Sequence, residues 1–464
     1  MSARFVNIDH DTPLLLPPDL RDWVPHNHVV HFIMDAVGEL DLASARVNER
    51  GSGSQQYPPA TLLGLLLYSY ATGVFSSRQI ERSTHENVAA RFLCADTHPD
   101  HDTLCTFRRR NGELLRRSFA AVLEMAARCG VLKVGGITVA IDGTKILANA
   151  SKHAAVGYER AGEQMRQLDL EIASLLSKAE EADSTPLEDG LSIPQEVERR
   201  AQRKALLSKA RAEMEARAYA RAQAERAEYE SKIAARNAAR EAGKKPRGKD
   251  PQPPSDTPDP KEQYNFTDPE SRIMKAGNGQ HFEQAYNAQA GVEVESRLIV
   301  AQRVSDAPND KEQLVPSFQA MAAAAGPVAC VLIDSGFVSE QAVGRIEADA
   351  AGQPTGTEVL AAMKRDKHGR TVAELEKKND PCAPAPDAPF AERMIHRVAT
   401  KEGRGRYKLR QQTVEPVFGI IKEAMGFRRY SMRGMAKAAL EWTLVALAYN
   451  LKRLFVMGAR LAAA

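Results

Sequence analysis

The sequence predicts an α/β protein with a mixed sheet, an N-terminal all-α domain and a long helical-hairpin insertion after the first strand. Three observations carry this. The run "ITVAID" (137–142) is β-rich and stands alone after a helical region. Strand-like sequence resumes only at "FEQAYNAQAGVEVESRLIVAQRVS", two alternating runs about a turn near Glu295–Ser296, followed by the continuous apolar run "PVACVLIDSG" of a buried strand. Between them lies a stretch rich in Ala, Arg and Glu, with Met165, Leu168, Ile172, Leu175 and Ala179 at three- and four-residue spacing.

The expected domains follow in order. Residues 1–130 form a helical DNA-binding domain that opens with a loose lead-in over 1–55. "PPATLLGLLLYSYATGV" begins with prolines and closes near a glycine. "SSRQIERSTHENVAARFL" keeps Ile80, Val88 and Phe92 on one face, and Asp102 is a plausible cap for the helix after it. Arg108 and Arg109 are candidate DNA contacts on a helix-turn-helix-like arrangement; a solvated arginine face is the competing reading. Residues 131–159 hold the first strand, 160–250 a helical hairpin with coiled-coil character and a weak seam, and 251–270 a Pro-rich, charged, disordered linker. Residues 271–464 complete the sheet, with Ser339 capping a helix, a strand at "TEVLAAMKR", a loop-rich stretch over 366–392, and closing helices at about 412–424 and 434–456.

Composition sets the boundaries of function. The 464 residues suit two or three domains. The longest uncharged apolar stretch, Thr61 to Phe75, is too short to span a bilayer, and "ALEWTLVALAYNLKRL" carries Glu441, Lys452 and Arg453, so no membrane partner is expected. No charged segment followed by an apolar one opens the chain, so secretion is not expected. The five cysteines make no C-x-x-C pair; a reducing cytoplasm fits them, and a zinc site does not. Basic residues outnumber acidic ones after Arg393, a local field suited to a polyanion.

Three acids punctuate this order: Asp142 and Asp334 at predicted strand ends, and Glu415 at the predicted mouth of a helix. Each has a plain structural explanation as a turn, cap or dipole residue. Together they suit one crevice at the carboxyl ends of strands. Three such carboxylates can hold two Mg²⁺ or Mn²⁺ ions, which at ~3.5–4 Å apart clamp both oxygens of an in-line phosphoryl displacement. Lys422 follows Glu415 by two helical turns, and Tyr407 and Arg410 precede it; all three are candidate phosphate contacts, as is Lys145. Lone residues such as His281, Asp306 and Asp310 read as structural or loop positions, and Trp442 as core.

Several motifs carry a family resemblance. "YPPATLLGLLLYSYATGVFSSRQIER", "HDTLCTFRRRN", "AIDGTKILANASK", "NFTDPESRIMKAGNGQHFEQAYNAQAGVE", "LIDSGFVS" and "RYKLRQQTVEPVFGIIKEAMGFRRYSMRG" occur in order over roughly residues 25 to 456. They resemble the DDE transposases of bacterial insertion sequences, in the branch with a helical insertion after the first strand. The resemblance implies a ribonuclease H-like core, with Asp142, Asp334 and Glu415 as catalytic metal ligands. It implies a bacterial, nucleoid-associated protein of the cytoplasm, acting as a homodimer on DNA. It would bind terminal inverted repeats, cut the element ends and join the 3′-hydroxyl to target DNA. The family's closing signature places three residues between Arg and Glu, and this chain has four between Arg410 and Glu415. A two-metal nuclease without strand transfer, or a non-catalytic DNA-binding descendant, are the alternatives.

Overall fold

Residues 19–46, 56–182, 192–243, 250–275, 281–363, 380–385 and 387–461 are described in the computed structural model of the chain. About half of the lead-in over 1–55 and much of the stretch 366–392 lie outside these residues. The chain divides into two compact units, Met1–Leu147 with Tyr286–Ala464, and Ala148–Ala285. Among the described residues no helix is long and apolar enough to cross a membrane.

The first unit begins with helices α1 (Val29–Gly38), α2 (Pro59–Ala71), α3 (Ser77–Glu86), α4 (Val88–Leu93), α5 (His101–Arg110) and α6 (Gly112–Arg128). Pro59 starts α2 at the position where a missing N–H costs nothing. From Leu62 to Ala71 every side of α2 is buried, as an all-round apolar helix requires. The cap of α5 is Asp100, whose carboxylate accepts the Thr103 N–H at 2.8 Å. Asp102, the expected cap, falls instead in the first turn, where its charge favours the helix dipole.

The sheet is built from β1 (Ile137–Leu147), β5 (Phe282–Glu293), β6 (Ile299–Ser305), β7 (Val328–Ile333) and β8 (Glu358–Ala361). The shorter β2 (Ala155–Gly157) and β3 (Gln263–Asn265) form a separate pair in the second unit, and β4 (Arg272–Lys275) adds a sixth strand to the sheet by pairing antiparallel with the start of β5, over Phe282–Ala285. β1 runs parallel to β7 and β7 parallel to β8, whereas β6 is antiparallel to β5, which flanks β1 on the other side. The turn between β5 and β6 is where the sequence placed it. Glu293 accepts the N–H groups of Glu295 and Ser296 at 2.9 and 2.6 Å, and Arg297 takes a left-handed φ of 59°.

Helices α9 (Leu314–Gln319), α10 (Glu340–Glu347), α11 (Phe390–Ala399), α12 (Lys401–Gly419) and α13 (Met435–Val456) complete the first unit. Ser339 caps α10 as expected, accepting from Ala342 N–H. α13 is buried along most of its length and ties the N-terminal helices to the sheet. Its Trp442 donates to Gln289 O at 3.0 Å, and its Asn450 both accepts from and donates to the Ile299 backbone. Those bonds satisfy sheet groups that would otherwise be buried without partners.

In the second unit, α7 (Tyr158–Ala182) and α8 (Ile193–Glu241) pack together. Leu207, Ala210, Met214, Ala218 and Ala222 form the buried seam of α8, three or four residues apart. Alanine supplies most of it, so close approach rather than large side chains makes the contact. The stretch expected as a disordered linker carries structure where it is described: β3 pairs antiparallel with β2, and Glu262 receives Arg221. Tyr264 anchors β3 in the core beside Val156 and Met214, burial that a Pro-rich composition conceals.

Candidate active site

Ile141 and Ile333 are register partners in parallel strands, so Asp142 and Asp334, next along each chain, stand side by side. Neighbouring strands lie ~4.8 Å apart, and equal phase sends both side chains to the same face. Asp334 ends β7 and opens a short 3₁₀ turn over Ser335–Phe337. Asp142 does not end its strand: β1 continues through the Asp-Gly pair to Leu147. Burial pushes the Asp142 carboxyl up to about 6; the Gly143 N–H at 2.8 Å and Arg410 oppose the shift, and the charges of Asp310 and Asp334 add to it.

Glu415 is not at the mouth of a helix. Thr400 caps α12 by accepting the Gly403 N–H, and the helix runs on to Gly419, with Glu415 near its C-terminal end. Gly403 and Gly405 weaken the local helix signal. Tertiary anchors override them: Arg406 meets Glu358 at 2.6 Å, and the Tyr407 hydroxyl donates to Ile333 O at 3.1 Å. The dipole explanation for Glu415 therefore fails. Pro416 lies inside the helix, where its ring leaves the Gln412 carbonyl without an α-helical donor. Residues Ile420–Ala424 then wind as a π-turn closed by Met425 N–H to Ile420 O at 2.8 Å. The step from Glu415 to Lys422 therefore crosses two windings, and the two-turn phasing of an α-helix does not apply to it.

Arg410 joins the two ends of this arrangement. Its guanidinium donates to Asp142 Oδ2 at 3.1 Å and to Glu415 Oε1 at 3.3 Å. It is 7 % exposed. The sequence reading made Arg410 a phosphate contact; its fork is instead spent on carboxylates. Tyr407, half-buried and bonded to the end of β7, holds the helix against the Asp334 strand rather than presenting a free hydroxyl.

The residues fit divalent-metal chemistry in kind: hard oxygen donors on a rigid sheet, with the buried acceptors Asn287 Oδ1 and Gln289 Oε1 unpartnered nearby. They do not form the expected three-carboxylate cage as they stand. Among the described residues no group of three or more His, Cys, Asp or Glu side chains is arranged to hold a metal ion. Arg410 already neutralises Asp142 and Glu415.

Two lysines flank the acids. Lys145 is part-buried, its Nζ has no hydrogen-bond partner, and burial lowers its pKa against the pull of Asp310 and Asp142. Lys422 is half-buried, lowered by burial and by the neighbouring charges of Arg428 and Lys145. Arg108 is a correction. It is 4 % exposed, donates to the Tyr70 hydroxyl at 2.6 Å and faces Glu441 at 3.8 Å, so its charge belongs to a buried network and not to a DNA surface. Arg109, on the exposed side of α5, folds back onto Cys105 O and Thr106.

Sequence reasoning missed a second polar cluster. Asn287 and Gln289 both donate to Asp310 Oδ1 at 2.7 Å, over the backbone of Gly143. Asp310 had read as a loop residue. The available signal was "NAQ" in β5: two amides two residues apart share one face of the strand.

Two family models match the chain, one described as "Transposase domain (DUF772)" over residues 18–110 and one as "Transposase DDE domain" over residues 383–455. The first covers the helices α1 to α5, and the second covers Arg410, Glu415 and Lys422. The class is therefore that of the transposases, and the chain is a DDE transposase of an insertion sequence. Comparison with curated proteins and with solved structures gives no match.

Proposed function

We propose that this transposase binds the terminal inverted repeats of its own insertion sequence as a homodimer, cuts the element ends and joins them to target DNA, in the bacterial cytoplasm beside the nucleoid. The observation that carries the reading is the pairing of Asp142 with Asp334 on adjacent parallel strands, with Glu415 tied to Asp142 through Arg410. The strand order β6-β5-β1-β7-β8, antiparallel at one edge and parallel at the other, supports a ribonuclease H-like core.

In the cutting step water adds to phosphorus and the 3′-oxygen of the element leaves with a proton. In the joining step that 3′-hydroxyl attacks a target phosphodiester and expels the target's own 3′-oxygen. Two Mg²⁺ or Mn²⁺ ions, when bound by Asp142, Asp334 and Glu415, would activate the attacking oxygen and stabilise the leaving one. Lys145 and Lys422 would hold phosphates of the DNA end, and the mixed burial of both suits a cation whose counter-charge arrives with the substrate.

The test is incubation of the protein with pre-cut element ends, a plasmid target and Mg²⁺ or Mn²⁺. Joined products support the proposal. Nicks without joining identify a nuclease, and end binding without either product identifies a DNA-binding descendant. Asp142→Asn and Asp334→Asn are expected to abolish products and leave end binding intact.

A further inference from the structure

The second unit contains a cavity of about 520 Å³ between α8 and the β2–β3 pair, within the ~300–1,000 Å³ of ordinary ligand pockets. Its charged lining is wholly basic, from Arg203 and Lys209, with the His153 ring beside them. Its other walls are apolar or aromatic. Tyr264 is buried at the back, Phe266 is partly open, and Leu206 is half exposed at the lip. The Arg203 guanidinium lies 5.1 Å from the Phe266 ring centroid, so a planar cation and an aromatic ring form one stacking wall.

The cations around this cavity differ from their neighbours. Elsewhere on α8, Arg200 meets Glu171 and Glu196, Lys204 meets Asp169, Arg211 meets Glu215, and Arg221 meets Glu262. Arg203, Lys209 and Arg217 have no acidic partner within ion-pair distance among the described residues, and Arg217 is spent on Pro269 O at 2.7 Å, which leaves Arg203 and Lys209. A helix that pairs most of its charges but leaves two cations open over an aromatic pocket presents them to an outside anion. An aromatic wall adds a second requirement, a planar group attached to that anion.

We infer that the Arg203–Lys209–Phe266 cavity binds a nucleotide of single-stranded DNA, its phosphate on the two cations and its base against Phe266. Base stacking on such a platform needs no particular sequence, because every base has a π-face. The choice of DNA over another phosphorylated aromatic rests on the transposase reading above, and the cavity itself asks only for phosphate and base together.

The experiment uses the full chain and a short single-stranded oligonucleotide carrying one 2-aminopurine, with binding and fluorescence followed against salt. Quenching on binding is expected for the wild type. The double variant Arg203→Gln/Lys209→Gln, both exposed positions, is expected to bind about tenfold or more weakly and to lower the salt slope by about 1. Phe266→Leu, which keeps an apolar side chain against the neighbouring core, is expected to keep the salt slope and lose most of the quenching. Wild-type binding and quenching in both variants would overturn the inference. So would displacement by tripolyphosphate as effective as by unlabelled oligonucleotide, which would mean an anion site with no base. Pocket-dependent binding without end joining rejects the transposition reading alone, and end joining without pocket-dependent binding rejects this one alone.

Discussion

Arg410 and Asp142, far apart in sequence, meet at 3.1 Å, and the same guanidinium reaches Glu415 at 3.3 Å. Without a cation there, Asp142 would face Asp334 and Asp310 with only a backbone N–H in support. Arg410 thus acts as a resident counter-charge, and its fork suits two carboxylates in a way that a point charge does not.

Removing that counter-charge should be costly. Arg410→Ala is expected to lower stability by about 2–3 kcal/mol, below the ~3–5 of a fully buried pair because Glu415 is about half exposed. Arg410→Lys should recover only part of this. Urea unfolding of the three proteins measures the difference, and a change under about 0.5 kcal/mol in Arg410→Ala would show that the bridge carries no weight.

The Asp142 carboxyl gives a pH signature. Its folded pKa of about 6 lies above the ordinary 3.8, so the protonated form is favoured in the folded state. That contribution is fully present below about pH 4 and is lost as pH rises through about 6. Asp142→Asn should remove it. Wild-type stability is expected to fall relative to the variant by on the order of 2–3 kcal/mol between about pH 4 and pH 7. Parallel stability curves would locate the titration elsewhere.

Gly143 has no room for a side chain. An added Cβ would lie 2.3 Å from Gln289 Nε2, 2.6 Å from Asp310 Oδ1 and 2.8 Å from Asn287 Oδ1. The glycine of the Asp-Gly pair thus permits close packing rather than a turn. Gly143→Ala is expected to cost about 1–3 kcal/mol and to displace the Asp310 cluster. Thermal unfolding with the end-joining assay checks it, and wild-type behaviour in both would mean that the amides shift freely.

Arg108 and Arg109 should separate cleanly. Glu441 accepts from the Tyr70 hydroxyl at 3.1 Å and from Ser431 N–H at 2.9 Å, and faces Arg108 at 3.8 Å. Arg108→Ala leaves a buried carboxylate under-neutralised, an expected loss of ~3–5 kcal/mol. Arg109→Ala should stay within ~0.5 kcal/mol of wild type. Chemical denaturation distinguishes them, and equal stabilities would refute the buried network.

Periodicity and turn chemistry made much of this fold legible. The β5–β6 hairpin, the β7 run and the largely apolar α13 each carry a local pattern that burial merely confirms. Asp334 could be singled out because strand-end position is local too, whereas the Asp-Gly pair that marked Asp142 lies inside a continuous strand. What escaped was non-local. The early start of α12 depends on Arg406 and Tyr407 finding β8 and β7, which outweighs two glycines. The buried state of Arg108 depends on Glu441, more than three hundred residues onward, so its charge alone suggested a surface. Asp310 gains its partners only when β5 folds beside β1.

The parallel seam of β1 and β7 also sets a timetable. A ribosome working at ~5–20 residues per second takes on the order of ten to forty seconds to pass from Ile141 to Ile333, and during that wait the whole of Ala148–Ala285 is made. Asp142 emerges early, yet its neighbour strand and then Arg410 and Glu415 come late. A nascent chain thus carries its helices before it carries a complete acidic site. A message cut short after the second unit would encode a protein with Asp142 and no strand to stand Asp334 beside it.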